Sequence, residues 1–131
     1  MESINVINAL AALAQETRLA IFRLLVEHGP EGLAAGRIAE RLDLAPATLS
    51  FHVKELARAG LLNARQDGRF IYYRANFAVM NALIGYLTDK CCTAGPDCHP
   101  AFTPAAKATA VGLADRNTST KPTIHPKWRF V

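Results

Sequence analysis

The chemistry that this sequence could carry out is concentrated in its cysteines. All three fall within eight residues, at Cys91, Cys92 and Cys98, with the turn formers Gly95 and Pro96 between them. Thiolates bind soft ions, and a pyramidal trivalent ion such as arsenite or antimonite is satisfied by three sulfurs. The cluster therefore predicts a site for trivalent arsenic, and the choice among arsenite, antimonite and methylarsenite stays open.

Three other interpretations of the cysteines stay open. Zinc or cadmium prefers a fourth ligand, which His99 could supply. A vicinal thiol pair could instead respond to oxidation, and cysteines also pack as small apolar side chains at a helix end. Because the sequence shows neither a membrane-spanning stretch nor an N-terminal signal segment, we expect a cytoplasmic protein. An odd number of cysteines excludes a complete disulfide framework, so in that reducing compartment we expect thiols.

Length and composition favour a single domain. The chain has 131 residues, and 50% of them are hydrophobic, which is enough to close a core without disulfides. Its apolar stretches are far shorter than the ~18 residues of a membrane span. The sequence holds no Ser/His/Asp arrangement, glycine-rich phosphate loop or carboxylate pair, so neither an enzyme nor an enzyme cofactor is predicted.

Positive charge is concentrated locally. The formal net charge is +4, but residues 1–98 are neutral overall and the excess lies in residues 99–131. Within the neutral part, residues 54–74 carry five basic side chains against two acidic ones. A stretch of this size is often only a solvated face, so charge alone does not predict a nucleic-acid partner.

Apolar spacing predicts a run of helices interrupted by one hairpin. Helical periodicity is present over residues 4–14, 16–28 and 34–42, from Pro46 to just before Gly60, and from Asn76 to about Lys90. The third and fourth helices are separated by only three residues, which is the outline of a helix-turn-helix. β-prone residues over 61–66 and 69–74 flank Asp67-Gly68, a pair favoured in a two-residue type I′ turn.

A family resemblance is carried by residues 50–74, which read SFHVKELARAGLLNARQDGRFIYYR. They resemble the recognition helix and wing of the ArsR/SmtB repressors, and the upstream ETRLAIFRLL is similar to the second helix of that family, so the resemblance covers residues 4–90. It implies a mainly α fold with a small β-hairpin, a winged helix-turn-helix with about five core helices and a two-stranded wing. It also implies a transcriptional repressor that binds double-stranded DNA as a homodimer, on an operator with two-fold symmetry.

The resemblance also bears on the cysteines. Some arsenite-responsive members of the family are similar in carrying a C-C-x5-C cluster just after the last core helix, which is the place of Cys91, Cys92 and Cys98 here. Other members use a C-x-C-x-x-C before the recognition helix, where residues 34–42 have no cysteine. Related zinc sensors use acidic and histidine pairs on the last helix, where this chain offers only Asp89. The resemblance therefore implies release from DNA by trivalent arsenic, with zinc, cadmium or thiol oxidation as alternative signals.

Helical spacing predicts which side chains meet DNA. With Leu49, Val53 and Leu56 on the buried face of the fourth helix, the polar residues of its first half can enter the major groove. We expect the polar residues there to contact base edges or phosphates, and the basic residues of this helix and of the hairpin tip to contact phosphates or the minor groove. For His52, a structural role between helix and core is the alternative. The predicted DNA-contacting residues are Thr48, Ser50, His52, Lys54, Arg58, Arg65 and Arg69.

The chain is predicted to divide into three segments. Residues 1–90 form the DNA-binding and dimerisation domain, residues 91–99 the cysteine-rich inducer-binding segment, and residues 100–131 a flexible tail. Trp128 and Phe130, near the end of this tail, are not expected to dock. The apolar residues available for the dimer are Ile4, Ile7 and Leu10 on the first helix and Leu83, Ile84 and Leu87 on the last.

Overall fold

The computed structural model describes residues 1–91 and 128–130, with the backbone alone for Arg129 and Phe130. The helices in these residues are α1 (Ser3–Leu13), α2 (Glu16–His28), α3 (Ala35–Leu42), α4 (Pro46–Arg58) and α5 (Phe77–Thr88). The strands are β1 (Leu33–Ala34), β2 (Leu62–Asp67), β3 (Phe70–Ala75) and β4 (Arg129–Phe130). The prediction of a mainly α fold with a small β-hairpin wing is confirmed.

The core forms where α2 meets the helix-turn-helix and the hairpin. Its largest fully buried side chains come from α2, α3, α4 and the residues that enter β2, and they are Ile21, Leu25, Ile38, Leu56, Leu61 and Leu62. Burial of one such side chain stabilises the fold by about 1.5–3 kcal/mol. The inner face of α4 is therefore held firmly, and its outer face is left to solvent. In the described part of the chain, no helix has the length and apolar character needed to span a membrane.

Side-chain caps fix where two of the helices begin. At the start of α2, the Oε1 atom of Gln15 accepts a hydrogen bond of 2.8 Å from the backbone N–H of Arg18. At the start of α5, the Oδ1 atom of the buried Asn76 accepts from the backbone N–H of Val79 at 3.3 Å. The Nδ2 atom of Asn76 donates to the carbonyl oxygen of Gly60 at 3.0 Å. Asn76 therefore joins the first turn of α5 to the end of α4.

The strands form one antiparallel sheet in the order β1-β3-β2-β4. In the hairpin, Asp67 pairs with Phe70, so the two-residue turn consists of Gly68 and Arg69. The predicted type I′ turn at Asp67-Gly68 is therefore wrong by one residue. Gly68 has a φ of 60° and Arg69 is not among the residues with positive φ. This is the type II′ pattern, in which only the first turn residue needs the left-handed region.

Residues 128–130 bring a short strand, β4, to the free edge of the hairpin. The expectation of an undocked, flexible segment over residues 100–131 is wrong for these three residues. An edge strand presents unpaired N–H and C=O groups, and here a segment of the same chain pairs with them. Residues 92–127, which include most of the predicted tail, lie outside the described residues. The register pairs of the two strands are Asn63 with Phe130 and Ala64 with Arg129.

Candidate nucleic-acid interface

Helix α4 has one buried and one exposed face. With 3.6 residues per turn, the side chains opposite the buried face form a single stripe along the helix. The buried face consists of Leu49, Val53, Leu56 and Ala57. The exposed stripe consists of Ala47, Thr48, Phe51, Lys54 and Arg58. A helix held in this way can enter a groove with its exposed stripe in front.

Phe51 lies at the centre of the exposed stripe. At about 100° per residue, Leu49 and Val53 lie roughly 160° to either side of it, so Phe51 faces away from the core. Phe51 is 60% exposed, and its ring meets the ring of His52 edge-on, with the centroids 5.4 Å apart. The sequence-based prediction left Phe51 out of the DNA-contacting residues, although helical spacing alone could have placed it there.

The predicted polar contacts lie beside Phe51. Thr48 is on the exposed stripe, and Ser50 and His52 lie roughly 100° to either side of Phe51. Thr48 and Ser50 are exposed, whereas His52 is half-buried. The Nδ1 atom of His52 is buried and has no hydrogen-bond partner among the described residues. The structure therefore brings Thr48 and Ser50 to the outer surface of the helix and leaves His52 at its margin.

Two basic residues complete the exposed stripe. Lys54 and Arg58 are both exposed, about one and two turns after Phe51. The Nη1 atom of Arg58 lies 3.1 Å from Oε1 of Glu55. Because the Arg58 side chain is 77% exposed, this pair is screened by water and contributes little to stability. The guanidinium of Arg58 can therefore exchange the carboxylate for a phosphate.

Arg65 and Arg69 occupy different positions on the wing. Arg69 lies in the hairpin turn and is exposed. The Arg65 side chain is only 22% exposed, and its Nη1 atom lies 3.6 Å from Oδ2 of Asp67. Its guanidinium carbon lies 4.7 Å from the ring centroid of Tyr72 and 5.2 Å from that of Trp128. Arg65, expected to project at the hairpin tip with Arg69, is instead held across the sheet because aromatic rings stack on its guanidinium.

Trp128 is packed against two arginines of the wing. The guanidinium carbon of Arg74 lies 4.6 Å from the indole centroid, and burial lowers the pKa of Arg74. The Nε atoms of Arg65 and Arg74 are buried and have no hydrogen-bond partner in the described part of the chain. A Cβ at Gly32 would lie 2.8 Å from Cη2 of Trp128 and 2.7 Å from the carbonyl oxygen of Tyr73. Only glycine therefore lets the indole approach the backbone here.

The structure describes one of the predicted arsenic ligands. Cys91 is exposed and follows Lys90, whose φ of 56° lies in the left-handed region just after α5. Cys92, Cys98 and the alternative ligand His99 lie outside the described residues. Across the residues that are described, no group of three or more His, Cys, Asp or Glu side chains is placed to hold a metal ion.

Apolar side chains remain exposed on α1 and α5, which contact each other. The exposed large apolar residues of these two helices are Ile4, Ile7, Leu10, Tyr86 and Leu87. Leu83, predicted for this face, is instead buried in the core, and Ile84 is half-buried. Exposed apolar side chains on two neighbouring helices are typical of a surface that contacts another protein.

Comparison with known proteins points to DNA-binding regulators. A family profile described as a helix-turn-helix domain matches residues 13–65. The chain is 33% identical to the transcriptional activator HlyU of Vibrio cholerae over 85 residues, which cover 65% of this chain and 76% of HlyU. It is 34% identical over 82 residues to ArsR of Halobacterium salinarum, a putative arsenical resistance operon repressor, covering 60% of this chain and 63% of ArsR.

A solved structure of similar fold is the homodimeric winged helix-turn-helix DNA-binding domain of Mb0332 from Mycobacterium bovis, described as a possible ArsR-family transcriptional regulator. Its sequence is 31% identical, its TM-score is 0.52, and the match covers 66% of this chain and 80% of that domain. The chain spans 60% of the length of the uncharacterized regulator YceK of Bacillus subtilis, 76% of HlyU and 63% of the nodulation protein NolR of Rhizobium meliloti.

Proposed function

The chain belongs to the ArsR-like family of winged helix-turn-helix transcriptional regulators, and from this premise we propose that it is a homodimeric repressor released from its operator by trivalent arsenic. Helix α4 enters the major groove, and the wing contacts the neighbouring backbone. Occupation of a promoter by the dimer blocks transcription, and binding of arsenic to the cysteine segment lowers the affinity for DNA.

The exposed stripe of α4 is the observation that carries this proposal. Thr48 and Ser50 are exposed hydrogen-bonding side chains in the first half of the helix, where base edges come within reach. His52 contributes from the margin. Phosphate contacts come from Lys54, Arg58 and the turn residue Arg69, which are exposed, and from Arg65 once its guanidinium leaves the aromatic rings.

A homodimer is supported by the exposed apolar face of α1 and α5. One such unit offers a small contact surface on DNA, whereas two recognition helices read two half-sites about 34 Å apart. Joining the two copies through α1 and α5 would cover Ile7, Leu87 and their apolar neighbours. The homodimeric state named for Mb0332 supports the same arrangement.

The inducer site is assigned to Cys91, Cys92 and Cys98. Trivalent arsenic forms bonds to three thiolate sulfurs. Hard oxygen ligands such as a serine hydroxyl bind this soft ion only weakly and cannot take the place of a thiolate. Cys91 follows directly after α5, the helix that carries part of the proposed dimer face. Binding at the cysteines can therefore alter the dimer on which DNA affinity depends, through a coupling free energy of typically about 1–3 kcal/mol. The name of the Halobacterium relative supports arsenic as the ligand.

A mobility-shift titration tests the proposal. The protein is bound to duplex from its own upstream promoter, and arsenite, zinc, cadmium or peroxide is added. We expect arsenite to release the DNA, and each of Cys91→Ser, Cys92→Ser and Cys98→Ser to blunt this release while leaving DNA affinity unchanged. Release by zinc or cadmium at lower concentration than arsenite, with dependence on His99, would overturn the arsenic assignment, and so would release by peroxide alone.

Methylarsenite sharpens the same titration. One of its three valences is already filled by carbon, so two sulfurs suffice to hold it. The Cys98→Ser variant is therefore expected to lose its response to arsenite and keep its response to methylarsenite. Equal loss of both responses in this variant would show that Cys91 and Cys92 do not hold methylarsenite by themselves.

A further inference from the structure

The centre of the exposed stripe on α4 is apolar. Phe51 is 60% exposed, while the residues around it on the stripe are small, polar or basic: Ala47, Thr48, Lys54 and Arg58. Its ring contacts the edge of the neighbouring His52 ring, and at this exposure most of the phenyl ring faces solvent. If α4 enters the major groove with this stripe in front, as the proposed function requires, the ring comes against base edges.

The major groove offers little that suits a phenyl ring. Adenine, guanine and cytosine present hydrogen-bond donors and acceptors there, and thymine alone adds a methyl group. A phenyl ring has no hydrogen-bonding group. Placing it on a polar base edge therefore removes the hydrogen bonds of that edge to water and does not replace them. Against a thymine methyl, the same ring buries apolar surface on both sides.

We propose that Phe51 is a specificity-determining residue that recognises a thymine methyl group in each half of the operator. The inference rests on the proposed function and adds to it one group on DNA, the thymine methyl, that Phe51 recognises. Thr48 and Ser50, beside Phe51, supply hydrogen bonds to the bases next to that thymine.

Removal of a single methyl group tests the proposal. Binding duplexes are first selected by the protein from a random library, and each thymine of the half-site is then replaced by uracil, one position at a time. We expect one position per half-site to lose about fourfold in affinity, the value of one buried methyl-sized group. In Phe51→Ala, we expect that replacement to have no effect. Since Phe51 is exposed, this variant should fold like the parent protein.

Phe70 provides a matched control. It has the same side chain and is 61% exposed, but it lies on the wing, at the start of β3. The thymine methyl lies in the major groove, while a wing reaches the backbone and the minor groove. Phe70→Ala is therefore expected to keep the full loss on uracil replacement. Any effect of uracil on DNA shape would be the same in Phe51→Ala and Phe70→Ala, so the difference between the two variants reports only the contact of Phe51 with the methyl group.

Two results would overturn this inference and leave the proposed function standing. One is a wild-type protein that selects a defined operator through Thr48 and Ser50 but tolerates uracil at every thymine of the half-site. The other is a loss on uracil replacement that persists unchanged in Phe51→Ala. A protein that selects no sequence from the library would overturn the proposed function as well.

Discussion

Lys54 and Arg69 carry exposed positive charge at two separate places, one on the α4 stripe and one in the wing turn. We expect Lys54→Ala and Arg69→Ala to weaken binding to operator and to random DNA alike. Each lost phosphate contact should also reduce the slope of log affinity against log salt by about 1. The measurement is a set of binding titrations at several salt concentrations.

Two comparisons make this prediction specific. Arg23→Ala removes the same charge from an exposed position on α2, outside α4 and the wing, and should leave affinity and salt slope nearly unchanged. Ser50→Ala and Thr48→Ala should reduce preference for the operator, by about 1–3 kcal/mol, and spare binding to random DNA. Indistinguishable behaviour of the Lys54, Arg69 and Arg23 variants would contradict the assigned interface.

The burial or exposure of a residue was predictable from sequence where it depends only on the position of that residue along one helix. The buried trio Leu49, Val53 and Leu56 follows from spacing along α4, and Thr48 and Ser50 are exposed as that spacing requires. Arg65 was not predictable in the same way, because its position depends on Trp128, more than 60 residues away in the sequence. Contacts of that kind are set by the folded sheet and leave no local pattern.

At the scale of elements, Asn76 connects two of them. Its side chain caps α5 and donates to the carbonyl oxygen of Gly60 at the end of α4. We expect Asn76→Ala to lower the free energy of unfolding by about 1–3 kcal/mol, because the cap is lost and the partly buried carbonyl of Gly60 loses its donor. Urea unfolding followed by circular dichroism measures this loss.

Two variants separate the contributions at this position. Asn76→Ser keeps a capping oxygen but is too short to reach Gly60, so its loss should be smaller than that of Asn76→Ala. Asn8→Ala, at an exposed position on α1, should change the free energy of unfolding by less than about 0.5 kcal/mol. If Asn76→Ala were as mild as Asn8→Ala, Asn76 would not join the two helices energetically.

Long elements were predictable from sequence, and short ones were not. The five helices lie within one or two residues of their predicted ends, since apolar periodicity over several turns is a local property. Strands β1 and β4 have two residues each and exist because they pair with β3 and β2. The turn was misplaced by one residue, because a single glycine satisfies either of two turn types.

At the scale of the whole molecule, the exposed apolar face of α1 and α5 predicts the assembly. We expect Ile7→Glu or Leu87→Glu to weaken the dimer by about 2–5 kcal/mol, since a charge would be buried without a partner. That is more than tenfold in the dimer dissociation constant, which sedimentation equilibrium measures. Leu19→Glu, at an exposed apolar position on α2, is the matched control. Equal dissociation constants for all three variants would place the dimer contact elsewhere.

The contact between Trp128 and the wing predicts a long-range effect on β2. We expect Trp128→Ala to cost about 1–2 kcal/mol of local stability, the value of two cation–π contacts, and Trp128→Phe to cost less. Hydrogen–deuterium exchange of a peptide covering β2 should accelerate in Trp128→Ala, while a peptide covering α2 serves as the internal control. Dimerisation should be unaffected because the proposed dimer face lies on α1 and α5. Unchanged exchange in β2 would show that β4 contributes nothing to the wing.

The position of Trp128 also gives the protein an intrinsic optical probe. It is the single tryptophan of the chain, and its ring lies against the guanidinium groups of Arg65 and Arg74. Indole emission responds to nearby charge and to water, so the light emitted by the unmodified protein reports on the surroundings of this one ring, which lies against the wing and beside Gly32. A phosphate that draws Arg65 away from the ring would change that emission, and engagement of the wing could then be timed separately from engagement of α4, without attaching a dye.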